Sequence, residues 1–356
     1  MTVSGWAGWL LRRLVVAPLM PVLAVVVAAL WVPVLLASSV TGAARALAGR
    51  GRPRWRAVRV ATFALLYLLG ETACLLACLG LWVGSGLGWR LHGGWFVRAH
   101  RAVLAAFLGI LVRAASVVFG FRLVVEEPRR HPEDLLWAER REPVLVLARH
   151  AGPGASFVLV HLLISRYQRL PQVVLKEQLR LDPAVDLLLT RTGCTWVPSR
   201  RDHGANAAEL VGSAAGALVG RQALVLYPEG ADWTPVRHLQ AVARLRGRGR
   251  FREARDALRM PHVLPPRPAG TVAALQAAPD ADVLVFTHTG HDQLLDAAST
   301  WRALPLRDPL RMTWWCARGQ TVPRGDEAAV TDWLHHTWVD IDAWVEEQQA
   351  LALAQS

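Results

Sequence analysis

Two short segments of this chain carry side chains able to move a proton and to hold an acceptor. The first is Arg149-His150, which directly follows the apolar run PVLVLA at 143–148 and precedes the turn Gly152-Pro153-Gly154. Imidazole is the side chain whose unperturbed titration lies nearest neutrality, which suits it to taking a proton from a hydroxyl and handing it on. The second is Tyr227-Pro228-Glu229-Gly230, which follows the apolar run ALVL at 223–226 and sets a carboxylate at the tip of a turn. In open α/β sheets the functional crevice lies beyond the carboxyl ends of the strands, so two strand-end turns of this kind are placed to converge.

The remaining histidines and the cysteines suggest less. His288 and His291 flank Thr289-Gly290 after an apolar run, but no third ligand at a defining spacing accompanies them, so they read as packing or surface residues and no metal is required. His335 and His336 lie in a helical stretch near the C-terminus and suggest no chemistry. Cys74 and Cys78 sit in an apolar stretch while Cys194 and Cys316 stand far apart, which gives neither a zinc pattern nor a disulfide framework. A reducing, cytosol-facing domain is the simpler reading.

The elements that must position His150 and Glu229 follow from the hydrophobic pattern after Phe121. Short apolar runs at 143–148, 172–175, 195–197, 223–226, 262–264 and 283–287 read as strands, and the stretches 156–169, 183–192, 206–219 and 271–278 read as helices. Such alternation predicts an α/β fold, a mixed sheet covered by helices. Residues 326–348 predict a closing amphipathic helix with Trp333, Trp338, Ile341 and Trp344 on its packing side. The segment RLRGRGRFREAR at 244–255 reads as a solvated or membrane-facing loop, since no nucleic-acid-reading motif surrounds it.

Before this region the chain is of another kind. The hydrophobic content of 53% is concentrated near the N-terminus. Residues 14–37 carry no charge, which at ~1.5 Å per residue is enough to cross a ~30 Å hydrocarbon core. A second apolar stretch at 60–88 follows a connector containing Arg45, Arg50, Arg52, Arg54, Arg56 and Arg59. Together they predict a helical membrane hairpin. Two full crossings would set the connector and the following domain on opposite sides, whereas the positive-inside rule draws the connector to the cytoplasm. A bent hairpin, broken or kinked at Pro18, Pro21 or Pro33 and dipping into one leaflet, resolves this; two full spans are the alternative. Glu71, inside the second stretch, is expected to be protonated or to face the hairpin interior or the headgroups. The organisation is then a membrane hairpin with its arginine-rich connector over 1–90, an interfacial or connecting helix over 91–125, a catalytic-type domain over 126–348 and a tail over 349–356.

A net charge of +12 and a pI near 11.0 admit nucleic acid, an anionic membrane surface or phosphate-bearing and CoA-like substrates as partners. Four ordered blocks favour the last two. His150 follows its strand; Lys176-Glu177-Gln178-Leu179 is followed by Gly193 to Arg200; Tyr227-Pro228-Glu229-Gly230 comes third; Val263-Leu264-Pro265, an apolar strand ending in proline, comes last. In their order and spacing these blocks resemble the glycerophospholipid acyltransferase family that includes 1-acylglycerol-3-phosphate acyltransferases. The resemblance spans Glu127 to the C-terminal helix.

The resemblance implies transfer of a fatty acyl group from acyl-CoA or acyl-carrier protein to the hydroxyl of a lysophospholipid, at the cytoplasmic face of a membrane and with no other cofactor. It makes His150 the general base, gives Glu229 a part in holding the acceptor and lets Gly230 admit a close backbone approach. Lys176, Arg200, Arg201, Tyr227 and Pro228 complete the acceptor-binding set, arginine's fork being suited to phosphate. The family's aspartate five residues after its histidine is Ala155 here, with Ser156 next to it as a neutral hydrogen-bonding support. The third block continues Ala231-Asp232 where the family has Thr-Arg, and Ser199 stands at the arginine position of the second, one residue before Arg200. Asp186, Asp202 and Glu229 are the carboxylates considered as substitutes for the missing one. The alternatives are a catalytically weakened relative that binds acyl chains or lipid, and a basic membrane-surface binding protein.

Overall fold

A computed structural model describes residues 6–49, 55–127, 136–152, 154–197, 204–317 and 322–354. The chain divides into two compact units. One comprises Met1–Arg122, Leu175–Ser199 and Thr300–Arg307, and the other Leu123–Val174, Arg200–Ser299 and Asp308–Ser356.

The first unit is helical. Helix begins at Trp6, passes through a π-helical stretch at Leu11–Val16 and continues as Ala17–Leu47. Pro21 and Pro33 lie inside that last helix, which runs on through both. The helix is thus not broken at either proline. Neighbouring helices are Arg56–Gly84 and Gly94–Phe119. Three stretches, Gly8–Leu47, Arg56–Gly84 and Gly94–Phe119, are long and apolar enough to cross a membrane. Residues 91–125 thus hold a helix of the same calibre as the two expected, where an interfacial or connecting helix was anticipated. Arg50, Arg52 and Arg54 of the connector lie outside the described residues.

The three helices present apolar side chains outward, among them Leu14, Leu19, Val25, Leu36, Leu76 and Val117. Their inner contacts are partly polar. Trp31 donates to Thr62 at 2.9 Å, and Arg56 donates to the carbonyls of Arg302 and Leu304. Glu71 is fully buried and accepts the Ala184 N–H at 3.2 Å, one of the open donors at the start of helix Pro183–Thr192. Asp182 caps the same helix through Val185 N–H and also takes the Tyr67 hydroxyl.

The second unit carries the sheet. Its strands are β1 (Leu123–Glu126), β2 (Val144–Ala148), β3 (Leu170–Lys176), β5 (Gln222–Leu226), β6 (Asp282–Thr289) and β7 (Leu310–Ala317). β3 runs on into residues of the first unit, where β4 (Thr195–Val197) extends the sheet to seven strands in the order β1-β7-β6-β2-β5-β3-β4. β2 pairs in parallel with β5 and β6, β3 in parallel with β5, and β7 antiparallel with β6, so the sheet is mixed as the pattern predicts.

All five β2 residues are buried, which explains why VLVLA is a continuous apolar run rather than an alternating one. On one face Leu145 and Leu147 join Val211, Leu224, Leu275, Val285, Trp338 and Ile341. Elsewhere Trp137, Tyr167, Phe286 and Trp314 pack as an aromatic cluster, with the Trp314 indole N–H donating to the Tyr167 hydroxyl at 2.9 Å.

The structure departs from the sequence pattern at four places. Residues 262–264 form no strand, because side chains satisfy their backbone: Asp342 takes His262 N–H, Arg149 donates to His262 C=O and Glu229 takes Leu264 N–H. Residues 244–255 are mostly helical, belonging to Pro235–Gly247 and Phe251–Leu258, which pack through Val242, Leu245, Ala254 and Ala257. The pattern also misses β1 and β7. The last helix, Glu327–Ala354, continues through most of the supposed tail and buries Trp338 and Ile341, while Trp333 packs against the core only in part.

Candidate active site

His150 and Glu229 follow adjacent central strands at one height, since the parallel register sets Leu147 opposite Leu226. The turns after β2 and β5 are tied to each other, and the β5 turn to the segment at 264–267, through their backbones. His150 C=O accepts the Trp233 N–H at 2.6 Å, and Ala151 bridges Trp233 in parallel register. Glu229 accepts the His150 N–H at 3.0 Å through Oε1 and the Leu264 N–H at 2.9 Å through Oε2. Arg267 N–H donates to Pro228 C=O at 2.8 Å.

Two glycines are required by this geometry. Gly152 has φ +70° and its added Cβ would meet the His291 carbonyl at 2.9 Å, so the chain leaves β2 by a path closed to other residues. Gly230, also at φ +70°, ends the turn in which its N–H donates to Tyr227 C=O at 2.9 Å. A Cβ there would meet the Arg267 guanidinium at 3.2 Å, which shows how close this cation lies to the turn.

The His150 ring meets a carboxylate that the sequence pattern did not nominate. His150 Nδ1 lies 2.7 Å from Asp232 Oδ1, with side chains 27% and 49% exposed. Asp232 comes from the β5 turn, two residues beyond Gly230, at a position where the family resemblance leads one to expect arginine. A carboxylate on Nδ1 fixes the tautomer, aims Nε2 outward and stabilises an imidazolium when one forms. Asp232 also faces Arg237, whose guanidinium lies 3.8 Å from Oδ2 and donates to Asp232 C=O at 3.0 Å. The Tyr227 ring leans on the imidazole with centroids 4.6 Å apart. Burial, with Ser156 and Asp232 as its polar neighbours, pushes the Tyr227 phenol up to about 12, so it stays protonated through the neutral range.

Behind the dyad is a closed network. Arg149 is fully buried and donates to His262 C=O, to His288 C=O at 2.5 Å and to Asp292 Oδ1 at 2.7 Å. Asp292 also takes the Thr289 hydroxyl and Gly290 N–H. Arg149 and these donors hold the Asp292 carboxyl below the usual carboxylate range despite its burial. Burial beside Arg149 pushes His288 down to about 3, so it is neutral and serves packing, with Nε2 placed 3.1 Å from Arg149 C=O.

The residues singled out from the sequence fall into three groups. His150, Tyr227, Pro228, Glu229 and Gly230 come together at the strand ends. Ala155 is 3% exposed at the start of helix Ala155–Ser165, and Ser156 is half-buried beside the Tyr227 hydroxyl. Lys176 ends β3 and is exposed, in the first unit, while Arg200, Arg201 and the alternative acid Asp202 lie outside the described residues.

Two roles change. Glu229 is 1% exposed with both oxygens on backbone donors, so it braces the two turns rather than reaching an acceptor. Burial pushes its carboxyl up to about 7, against the pull of Arg149 and the two N–H donors. Asp186, considered as a substitute carboxylate, belongs to the first unit and has both oxygens paired there with Arg12, Arg13 and Arg180. No protein-family model matches the chain and no curated protein matches it, so the functional reading rests on this geometry.

Proposed function

We propose that the protein is a membrane-attached acyltransferase that moves a fatty acyl group from a thioester donor, acyl-CoA or acyl-carrier protein, to the hydroxyl of a lysophospholipid. The observation that carries this reading is the 2.7 Å contact of His150 Nδ1 with Asp232. With Nδ1–H held by the carboxylate, Nε2 takes the acceptor hydroxyl's proton as its oxygen attacks the thioester carbonyl. Collapse of the tetrahedral intermediate expels the thiolate, and the imidazolium returns the proton to sulfur. Acceptor becomes ester, donor becomes thiol, and the histidine ends as it began.

Positioned general base catalysis of this kind supplies ~10²–10⁴ in rate. Arg267 beside Gly230 and Arg237 beside Asp232 put two cations at the rim, where the acceptor's phosphate or the donor's own phosphates find hydrogen-bond donors. The three long apolar helices support attachment to a membrane, and the basic connector favours its cytoplasmic side.

A binding protein of the membrane surface is the second reading, favoured by helices Pro235–Gly247 and Phe251–Leu258. They expose Val236, Leu239 and Phe251 among arginines, an amphipathic surface suited to anionic lipid. Purified full-length protein assayed with radiolabelled acyl-CoA and a panel of lysolipids, alongside His150→Ala, decides between them. Product formation that depends on His150 is expected, and its absence across the panel favours the binding reading.

A further inference from the structure

The first unit gathers three arginines on one carboxylate. Asp186, 1% exposed, receives Arg12 Nε at 3.1 Å and Arg13 at 3.1 Å on Oδ2, and Arg180 Nε at 2.9 Å on Oδ1. Thr190 adds its hydroxyl at 3.5 Å, and the Arg180 guanidinium lies over the Trp196 ring at 5.0 Å. The charged groups acting on Arg13 are Asp186, Arg191 and Arg12, which leaves the neighbourhood positive. Arg191 is itself engaged with the Cys78 carbonyl at 3.0 Å and with His100 Nε2 at 2.7 Å.

Like charges taken out of water repel strongly unless a counter-charge and hydrogen bonds compensate them, and one carboxylate does not neutralise three guanidinium groups. One donor shows the deficit directly: Arg13 Nη1 is buried and has no hydrogen-bond partner among the described residues. The side chains of Arg13 and Arg180 remain 20% and 22% exposed, so a ligand can reach them. Arg12 and Arg13 also lie in the π-helical stretch Leu11–Val16, an irregularity that recurs at functional sites.

The cluster's place along the chain identifies the anion. Arg13 is followed by an uncharged run that reaches Ala44, so it marks one end of a segment fit for hydrocarbon. Guanidinium groups at such an end sit at the level of lipid headgroups, where their planar forks match phosphate oxygens. We propose that Arg12, Arg13 and Arg180 form a phosphate-binding site that takes the headgroup phosphate of an anionic membrane lipid. The phosphate completes the charge balance that Asp186 begins and gives Arg13 Nη1 its acceptor. The inference rests on reading these helices as lipid-facing.

The test uses the full-length chain in neutral detergent, with thermal unfolding followed as phosphatidylglycerol, phosphatidylcholine or inorganic phosphate is added. Phosphatidylglycerol in large excess should raise the unfolding temperature by roughly 5 °C, the size expected for a ligand near saturation. Phosphatidylcholine and inorganic phosphate should do much less. Arg13→Gln and Arg180→Gln should lose most of the rise, Arg13→Lys should keep part of it, and Arg141→Gln, an exposed charge of the second unit outside its amphipathic helices, should keep all of it.

An equal rise with both lipids, or a full rise in Arg13→Gln and Arg180→Gln, overturns the site. A rise with inorganic phosphate equal to that with phosphatidylglycerol, and lost in Arg13→Gln, overturns the lipid source and assigns the cluster to a soluble phosphate. Failure of the membrane reading looks different: the chain stays in solution without detergent.

Discussion

Arg149 and His150 are neighbours at the end of β2, and each faces an aspartate at 2.7 Å, yet the two pairs are built for opposite ends. Arg149 and Asp292 are buried; Arg149 also donates to the carbonyls of His262 and His288, and Asp292 also accepts from the Thr289-Gly290 turn. His150 and Asp232 stand partly in solvent, with one ring nitrogen held and the other turned away from the carboxylate. Successive side chains of an extended chain point to opposite sides, so one residue step carries the chain from a closed ion pair to an open dyad. The closed pair fixes the backbone from which the imidazole projects. A charge that must stay put is placed where water is absent, and a group that must exchange a proton is placed where substrate can reach it.

The largest effect should come from the open side. His150→Ala is expected to lower acyl transfer by ~10²–10⁴-fold while leaving the unfolding temperature nearly unchanged, since its side chain stands partly in solvent, leaning on the Tyr227 ring. Initial rates with acyl-CoA and 1-acylglycerol-3-phosphate, beside a thermal melt, read both. Asp232→Asn should follow with a loss of roughly 10²-fold in turnover, less than the ~10⁴ seen where a buried orienting aspartate is lost from a serine-protease triad. Its carboxylate is half exposed, and solvent weakens its hold on an imidazolium. Turnover unchanged in Asp232→Asn, with a normal melt, would remove the dyad from the mechanism.

The closed side should respond in the opposite currency. Asp292→Asn leaves Arg149 buried against a neutral partner and is expected to lower stability by roughly 3–5 kcal/mol, measured by urea unfolding. Activity per folded molecule should fall by less than in Asp232→Asn. A variant that melts like wild type but has lost turnover would show that the two pairs share one function and dissolve the contrast between them.

Acid and base limbs sharpen the same contrast more gently. His288 is pushed down to about 3 from an ordinary 6.5, so the folded state excludes its proton; its contribution is full above about 6.5 and is lost as pH falls toward 3. Glu229 is pushed up to about 7 from an ordinary 4.5, so its contribution is full below about 4.5 and is lost as pH rises through 7. Between these values the two slopes oppose each other. Glu229→Gln removes one of them, so its unfolding temperature should climb with pH between about 4.5 and 6.5 more steeply than in wild type. The variant should also be less stable throughout by ~1–3 kcal/mol, because one of the two backbone N–H groups then faces an amide N–H₂. Parallel curves for the two proteins would show that Glu229 titrates alike in the folded and unfolded chain.

Much of this arrangement is legible in the sequence, and what is not has a physical cause. Buried central strands announce themselves as apolar runs, and β2, β5 and β6 lie where the runs put them. The convergence of the His150 and Glu229 turns follows from strand-end position. Residues 262–264 look like a strand because they are apolar and buried, yet their backbone is satisfied by Asp342, Arg149 and Glu229, a choice that pattern alone does not encode. Asp232 was invisible for a similar reason. A partner is sought near its histidine or at the family's spacing, whereas this one arrives from a different strand through the parallel register of β2 and β5. Asp186 shows the converse: a plausible acid in the sequence is committed to three arginines of the first unit.

The smallest expected effect is the most discriminating, because it asks which carboxylate the histidine uses. Ala155→Asp places an acid where the resembled family carries one, and a site lacking any carboxylate should gain turnover from it. Here Asp232 already holds Nδ1, and Ala155 is 3% exposed at the first position of an apolar helix. A second carboxylate in that place is partly desolvated, which raises its own pKa and draws it toward the neutral acid. The start of a helix favours a negative side chain, by ~0.3–1 kcal/mol, so the fold should tolerate the change. Ala155→Asp alone is therefore expected to alter turnover by less than about threefold, and to do so no more than Ala155→Asn, on the scale where a supporting hydrogen bond counts for ~1 kcal/mol. In an Asp232→Asn background the same substitution should restore turnover by roughly tenfold or more, since the imidazole then has no other carboxylate to stabilise its charged form. Rates for the two single variants and the double variant, with melts for each, form a cycle whose coupling is the measurement. A gain from Ala155→Asp that is equally large with and without Asp232 would mean that the two acids act independently, and that Asp232 is a surface partner of Arg237 rather than the dyad's carboxylate.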